Sequence, residues 1–265
     1  MIIDFHTHVF PDVMAQKTID YLANKGGITP HSNGTVSGLI EKMNEAGVTL
    51  SVALPVLTRP ESFDSILNFA VKVNNENEGK IISFAGIHPR CDDIFNKLKK
   101  VKDSGIKGVK LHPDYQETFI DDSGYIEILN SCKELDLIVV THAGHDVAYK
   151  DSMKCPPDRL KKVIEMVGHK KFVLAHLGGS MLIDEVIKEL ASLDVYMDTA
   201  NDLKFVTKQQ FNALVSKHGA DKILFATDMP WSSMKGDIEI INNFVYDEDT
   251  RDKIFYKNAL SLLSL

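Results

Sequence analysis

Eight short apolar, β-branched runs recur along this chain, and most gaps between them carry an apolar residue every three or four positions. That alternation restricts the fold strongly, because a strand followed by a covering helix must be followed by a parallel strand. The runs are Ile2–Phe5, Leu50–Leu54, Ile81–Gly86, Gly108–Leu111, Ile138–Thr141, Phe172–Ala175, Val195–Asp198 and Ile223–Ala226. Helical patterns separate them, among them VSGLIEKMNEAG, FDSILNFAVKVNNE, YIEILNSCKEL, PPDRLKKVIEMVG and IDEVIKELASL. Gly47 and Gly168 stand where helices would end in the left-handed conformation, and Pro156 and Pro157 where a helix would begin. Eight such units in 265 residues predict an α/β fold, a (β/α)8 TIM barrel forming one domain over residues 1–265. A doubly wound open sheet would call for a glycine-rich phosphate loop after its first strand, and DFHTHVFPD is nothing of the kind.

Composition narrows the function classes. A net charge of −7 argues against nucleic acid as a partner, since phosphate binding needs a positive surface. The lysines of Asn96–Lys102 share a helical period with Leu98 and Val101, so they read as a solvated helix face. No run of eighteen uncharged apolar residues predicts a membrane span, and MIIDFH does not read as a secretory signal. Cys91, Cys132 and Cys155 are odd in number and lack CxxC spacing, which fits reduced thiols in a cytoplasmic protein. The expected partner is a small molecule, with homo-oligomerisation left open. The C-terminal segment DEDTRDKIFYKNALSLLSL reads as an amphipathic helix covering the barrel.

Polar residues gather at the C-terminal ends of the predicted strands, where barrels build their sites. His6 and His8, two apart, share one face. Other strands run out in His142 (IVVTHAG), His176 (FVLAHLGG) and Asp228 (ILFATDMP), and GVKLHPD carries Lys110 and His112. Each alone has an ordinary reading: an HxH pair is weak, a lone histidine can be a hydrogen-bonded core residue, and an aspartate before Met-Pro can cap a turn. Their shared position on one rim is what points to a divalent ion, most simply zinc, with Mn or Fe as alternatives. Alternation turns Lys110 into the lumen, where an ammonium beside a cation is costly. It must pair with an acid or substrate, lose its proton, or be carbamylated into an anion able to bridge two metals. His112, and His88 and Arg90 after the third strand, are candidate substrate contacts, while Arg59, Asn201 and Trp231 lie near other strand ends. His31 and His145 sit on mouth loops, and the stretch Lys25–Thr35 could cover the site. His169 reads as a surface residue on the opposite rim, and His218 as a partner of a helix dipole.

DFHTH, GVKLHP, THAG, LAHLGG and FATDMP, in this order over essentially the whole chain, resemble the amidohydrolase superfamily, and most closely its amidohydrolase-2 branch. The resemblance implies a TIM barrel in which His6, His8, His142 and Asp228 ligate a first metal. It also implies that His176 ligates a second metal or serves as catalytic acid/base. VKLHP is similar to the dihydroorotase pattern VKLYP, whose lysine is carbamylated, with His112 in place of the tyrosine. TatD-type nucleases are similar too, but carry glutamate where Lys110 stands. The expected reaction is hydrolysis of an amide, cyclic amide or lactone, with Asp228 as general base. The alternative is metal-dependent, non-oxidative decarboxylation of an unsaturated or aromatic acid, because the branch includes such enzymes. A non-enzymatic metal scaffold is the third reading, disfavoured by Asp228.

Overall fold

The computed structural model describes residues 1–265. Its strands are β1 (Ile3–Thr7), β2 (Leu50–Ala53), β3 (Ile81–Ser83), β4 (Ala85–Gly86), β5 (Gly108–Leu111), β6 (Ile138–Thr141), β7 (Phe172–Leu174), β8 (Tyr196–Asp198) and β9 (Ile223–Leu224). All neighbours pair in parallel, in two runs, β1-β2-β3 and β4 through β9. β3 and β4 are halves of one stave, parted at Phe84, whose ring packs edge-on to Phe5 at 6.1 Å. The Phe84 amide still donates to Ala53, so the wall is continuous there. Closure comes where Phe5 donates to the Phe225 carbonyl (2.9 Å) and Asp228 to the His6 carbonyl (2.8 Å). The closed cylinder leaves no sheet edge unpaired.

Around it run α1 (Asp12–Gly26), α2 (Val36–Ala46), α3 (Phe63–Glu76), α4 (Ile94–Asp103), α5 (Ser123–Glu134), α6 (Pro157–Val167), α7 (Ile183–Glu189), α8 (Lys208–His218) and α9 (Met234–Phe244). Gly47 and Gly168 end their helices as the sequence offered, and one cap was not foreseen. Gly47 and Gly168 close α2 and α6 at φ 72° and 60°, and Thr207 with Gln210 forms a capping box on α8. The lysine-rich α4 buries Ile94, Leu98 and Val101 and leaves its charges in water, as expected. α1 and α9 were not among the helical patterns named from the sequence, and α1 has a physical reason. It buries only Ala15 and Ile19 and exposes Val13, Met14 and Tyr21, so it carries little helical periodicity to read.

Alternation sorts the strands into two cores. Val109, Leu111, Val139, Phe172 and Leu174 face the helices, whereas Val140, Val173, Leu224 and Ala226 fill the lumen. The final helical stretch, α10 (Glu248–Asp252), a π-turn and α11 (Asn258–Leu263), adds Ala259, Leu262 and Leu263 to the lumen cluster. With the Lys107 ammonium donating to the Leu263 carbonyl at 2.6 Å, it plugs the end of the barrel opposite the histidines. His169 is a correction. It is buried rather than exposed, and its Nε2 bonds the Leu137 carbonyl at 2.9 Å ahead of β6. His218, at the end of α8, bonds the Val195 carbonyl at 3.0 Å. The three cysteines are buried free thiols. No helix is long and apolar enough to cross a membrane.

Candidate metal centre

β1 does something that period-two alternation does not foresee. Ile3 and Phe5 belong to the lumen core, so strict alternation would send His6 outward. The β1–β2 register shifts between Asp4 and Thr7, and the His6 amide donates to the Asp4 carboxylate at 3.2 Å instead of to the ladder. Such an irregularity re-aims side chains, and it delivers His6 and His8 to the lumen mouth. Asp228 arrives from the chain after β9 in a left-handed conformation, φ 64°, and His176 from the chain after β7 at φ 59°. Neither is glycine, and each such conformation costs about 1–3 kcal/mol, which the surrounding bonds must hold in place.

His6, His8 and Asp228 offer ligand atoms that lie within 4.8 Å of one another. His6 Nε2 is 3.2 Å from His8 Nε2, His8 Nε2 is 3.0 Å from Asp228 Oδ1, and His6 Nε2 is 3.4 Å from that same oxygen. Both rings are oriented from behind. His6 Nδ1 donates to Asp198 Oδ2 at 2.9 Å, and His8 Nδ1 to the Leu54 carbonyl at 2.9 Å. Each proton is therefore on Nδ1, and both Nε2 atoms present lone pairs. Burial, followed by the charge of Lys110, pushes the pKa of His6 well below its ordinary value, so the ring is neutral. Three electron-pair donors facing each other at these spacings repel unless a cation lies among them. Tetrahedral zinc with bonds of about 2.0–2.1 Å sets its ligand atoms about 3.3 Å apart, the spacing found here. The donor set fits a divalent ion.

Lys110, fully buried on β5, projects into the lumen as alternation predicted, its Nζ 3.0 Å from His6 Nε2. Burial draws its pKa down to about 8, with Asp198 and Asp228 opposing that shift. His176 donates from Nδ1 to the Ala200 carbonyl at 2.8 Å, leaving Nε2 unprotonated. Its ring touches both sides of the cluster, 5.4 Å from His6 and 4.6 Å from His142 between centroids.

His142 stands apart from that trio. It stacks on His112 at 4.2 Å and 10°, and its ligand atom groups with those of His112 and Asp146 within 4.8 Å. His142 Nε2 is buried with no hydrogen-bond partner. Gly144 follows it at φ 79°, where a β-carbon would collide with the Ser180 backbone. Tyr115 stacks on the other side of His112 at 3.9 Å, and Tyr149 follows at 5.1 Å, capped by the Lys25 ammonium.

Other candidates lie elsewhere. Arg90 is exposed and lines a groove with Glu117, Phe119, Asp121, Lys154 and Arg159 that contains none of these imidazoles. His88 is buried and accepts from the Arg90 amide at 3.0 Å. Arg59 and His31 are exposed, although the His31 amide bonds the Pro230 carbonyl and thus ties the loop after α1 to the chain beyond Asp228. Sequence reasoning missed Asp198 and Asp146. Asp198 carried a readable signal, an acid closing an apolar strand on the lumen face. Asp146 carried none, being a loop aspartate four residues past His142.

Solved structures share this architecture at low identity. A dihydroxybenzoic acid decarboxylase from Polaromonas with bound manganese and 2-nitroresorcinol aligns at TM-score 0.76 and 15% identity over 100% of this chain and 97% of that one. A 2,6-dihydroxybenzoate decarboxylase from Rhizobium aligns at 0.73 and 15%, over 99% and 98%. A probable 2-pyrone-4,6-dicarboxylic acid hydrolase from Acinetobacter baumannii with citric acid bound aligns at 0.70 and 17%, over 100% and 99%. No curated protein sequence matches. The Amidohydro_2 family model, described as amidohydrolase, matches residues 3–265, and the chain belongs to that family.

Proposed function

We propose that residues 1–265 form the catalytic domain of a metal-dependent hydrolase that opens a C–N or C–O bond of a small molecule, an amide, cyclic amide or lactone. The observation that supports this most is the convergence of His6 Nε2, His8 Nε2 and Asp228 Oδ1 with no proton to share among them. These three would hold the ion: zinc, manganese or iron on the donor set. A divalent ion there supplies Lewis acidity and makes water available as a nucleophile near neutral pH. Asp228, at the mouth and beside both rings, takes the proton of the attacking water and passes it to the leaving group. His176, unprotonated at Nε2, is the second group able to take up and return a proton. Lys110 and His112 face the same space. The Lys110 amine binds a substrate oxygen or, carbamylated, becomes an anion; native intact mass distinguishes the two by the mass of one CO2.

Metal-dependent decarboxylation of an unsaturated or aromatic acid is the second reading. A buried lysine beside the imidazoles suits a carboxylate, and solved decarboxylases share the fold. In that case His176 first takes up a proton at Nε2 from solvent and then passes it to the carbon that loses CO2, returning to the neutral ring. Turnover of an amide, lactone and aromatic-acid panel in H2(18)O and in D2O separates the readings. Solvent 18O in a new carboxylate marks hydrolysis, while released CO2 with deuterium on carbon marks decarboxylation. A metal-loaded protein that turns over neither class would overturn both.

A further inference from the structure

We propose that the chain between Phe10 and Gly34 is a strap laid across the barrel mouth, and that its latch on Tyr149 and Val147 governs which small molecules reach the imidazoles beneath. This rests on reading the mouth as the reaction site. With β3 and β4 counted as one stave, β1 is the first of eight and β6 the fifth, so the two stand diametrically opposed. The segments Phe10–Gly34 and Gly144–Pro156 both leave the C-terminal ends of these strands, and they touch. The Lys25 ammonium lies 3.6 Å from the centre of the Tyr149 ring, and a β-carbon on Gly26 would lie 3.1 Å from Val147 Cγ2. Two loops rooted on opposite staves meet most directly over the mouth. α1 has the reach, since its 15 helical residues span about 22 Å.

The strap is held unequally at its two ends. At the neck the Phe10 amide donates to the Gly34 carbonyl at 2.8 Å, and the His31 amide to the Pro230 carbonyl at 2.7 Å. A β-carbon on Gly34 would lie 2.6 Å from Ile19 Cγ1, so Ile19, one of the two buried side chains of α1, packs against the strap's own return chain. At the tip no backbone hydrogen bond crosses to the opposite loop, and the cation over the ring and the Gly26–Val147 contact hold it. An exposed cation–π pair shifts a closed-to-open ratio by about 2- to 5-fold, so the tip opens while the neck holds. Tyr149 also lies against Tyr115, which stacks on His112, so the latch is the outermost of the rings that file into the mouth. A compact substrate is enclosed when the latch shuts, whereas one with a long substituent holds it open and loses that enclosure. Lys25 and Tyr149 are thereby specificity-determining residues.

The test locks the strap in the full-length protein. Gly26 has no positive φ, and its distance from Val147 suits the β-carbons of a disulfide, about 3.5–4.5 Å apart, so Gly26→Cys with Val147→Cys should cross-link on mild oxidation. The probe is diethyl pyrocarbonate, similar in size to a one-ring acid, which acylates the unprotonated Nε2 of His8. Mass spectrometry of the His8 peptide in chelator-treated protein reads that rate without metal or substrate. Oxidation should slow labelling about tenfold or more relative to the same protein reduced, because the open state is lost. Lys25→Met, which keeps the stem and removes the cation, should speed it about 2- to 5-fold. Equal rates in locked and reduced protein, or no cross-link in a variant with native circular dichroism, would overturn the strap. If the double variant does not fold, an unchanged rate in Lys25→Met overturns it instead. Labelling that obeys the lock, in protein that turns over none of the substrate panel when reduced and metal-loaded, would keep the strap and remove the proposed function. Turnover with labelling indifferent to the lock would do the reverse.

Discussion

The two histidine–carboxylate trios at the mouth have the same chemistry and different construction. The first rests on β1 and the chain after β9, and its rings are tied to Asp198 and the Leu54 carbonyl. The second hangs from the chain after β5 and β6, has its carboxylate on a loop, and is held mainly by ring stacking. His176 lies between them, touching His6 and His142. The difference teaches that identical donor sets are graded by what stands behind them. A ring oriented before the ion arrives loses no rotational freedom on binding, and a ring held only by stacking does.

The largest effect expected is that of Asp228→Asn, which removes the acid common to the metal donors and the proton path. Turnover should fall about 100- to 10,000-fold while circular dichroism is unchanged; near-normal kcat/KM in this variant would reverse the ranking of the trios. Next is Asp198→Asn. It touches no substrate, yet it weakens the hold on His6 Nδ1, and metal affinity should drop about 10- to 100-fold by calorimetry. Tyr115→Leu strips one face of the His112 stack and should lower stability in urea unfolding while leaving metal affinity at His6, His8 and Asp228 unchanged, a smaller change because stacked rings contribute about 0.5–1.5 kcal/mol.

The last effect concerns stability rather than binding or turnover. Lys110 carries a pKa lowered to about 8 by burial, against 10.5 for the free side chain. Between those values the unfolded chain holds a proton that the folded one has released, so stability of the stripped protein rises with pH across that window. On falling pH that stability is lost between 10.5 and about 8, and the loss is complete below about 8, where the folded protein buries an ammonium. Lys110→Met should therefore stabilise the metal-free protein below that pH, by about 3 kcal/mol at most. Urea unfolding at pH 7 and pH 10 checks this, and the difference from wild type should shrink at the higher value.

Much of this molecule could be read from its residues. β5 and β6 lie where β-branched runs placed them, α2 and α6 stop at Gly47 and Gly168, and Lys110 points inward because its neighbours Val109 and Leu111 face the helices. α1 was hidden because a helix with two buried side chains carries hardly any stripe. His169 was misread because a polar residue between a helix and a strand resembles a turn residue until its carbonyl partner on Leu137 is seen.

By itself the sequence determined that imidazoles and an acid would end the strands of one barrel, since hydrophobic period and residue order are local properties. Tertiary structure alone decided which of them meet. A register shift in β1 turned His6 inward, left-handed backbone at His176 and Asp228 aimed those side chains, and His142 came to stack on His112. Such choices depend on contacts between residues more than a hundred positions apart, as with His6 and Asp198, whose energies no local pattern encodes.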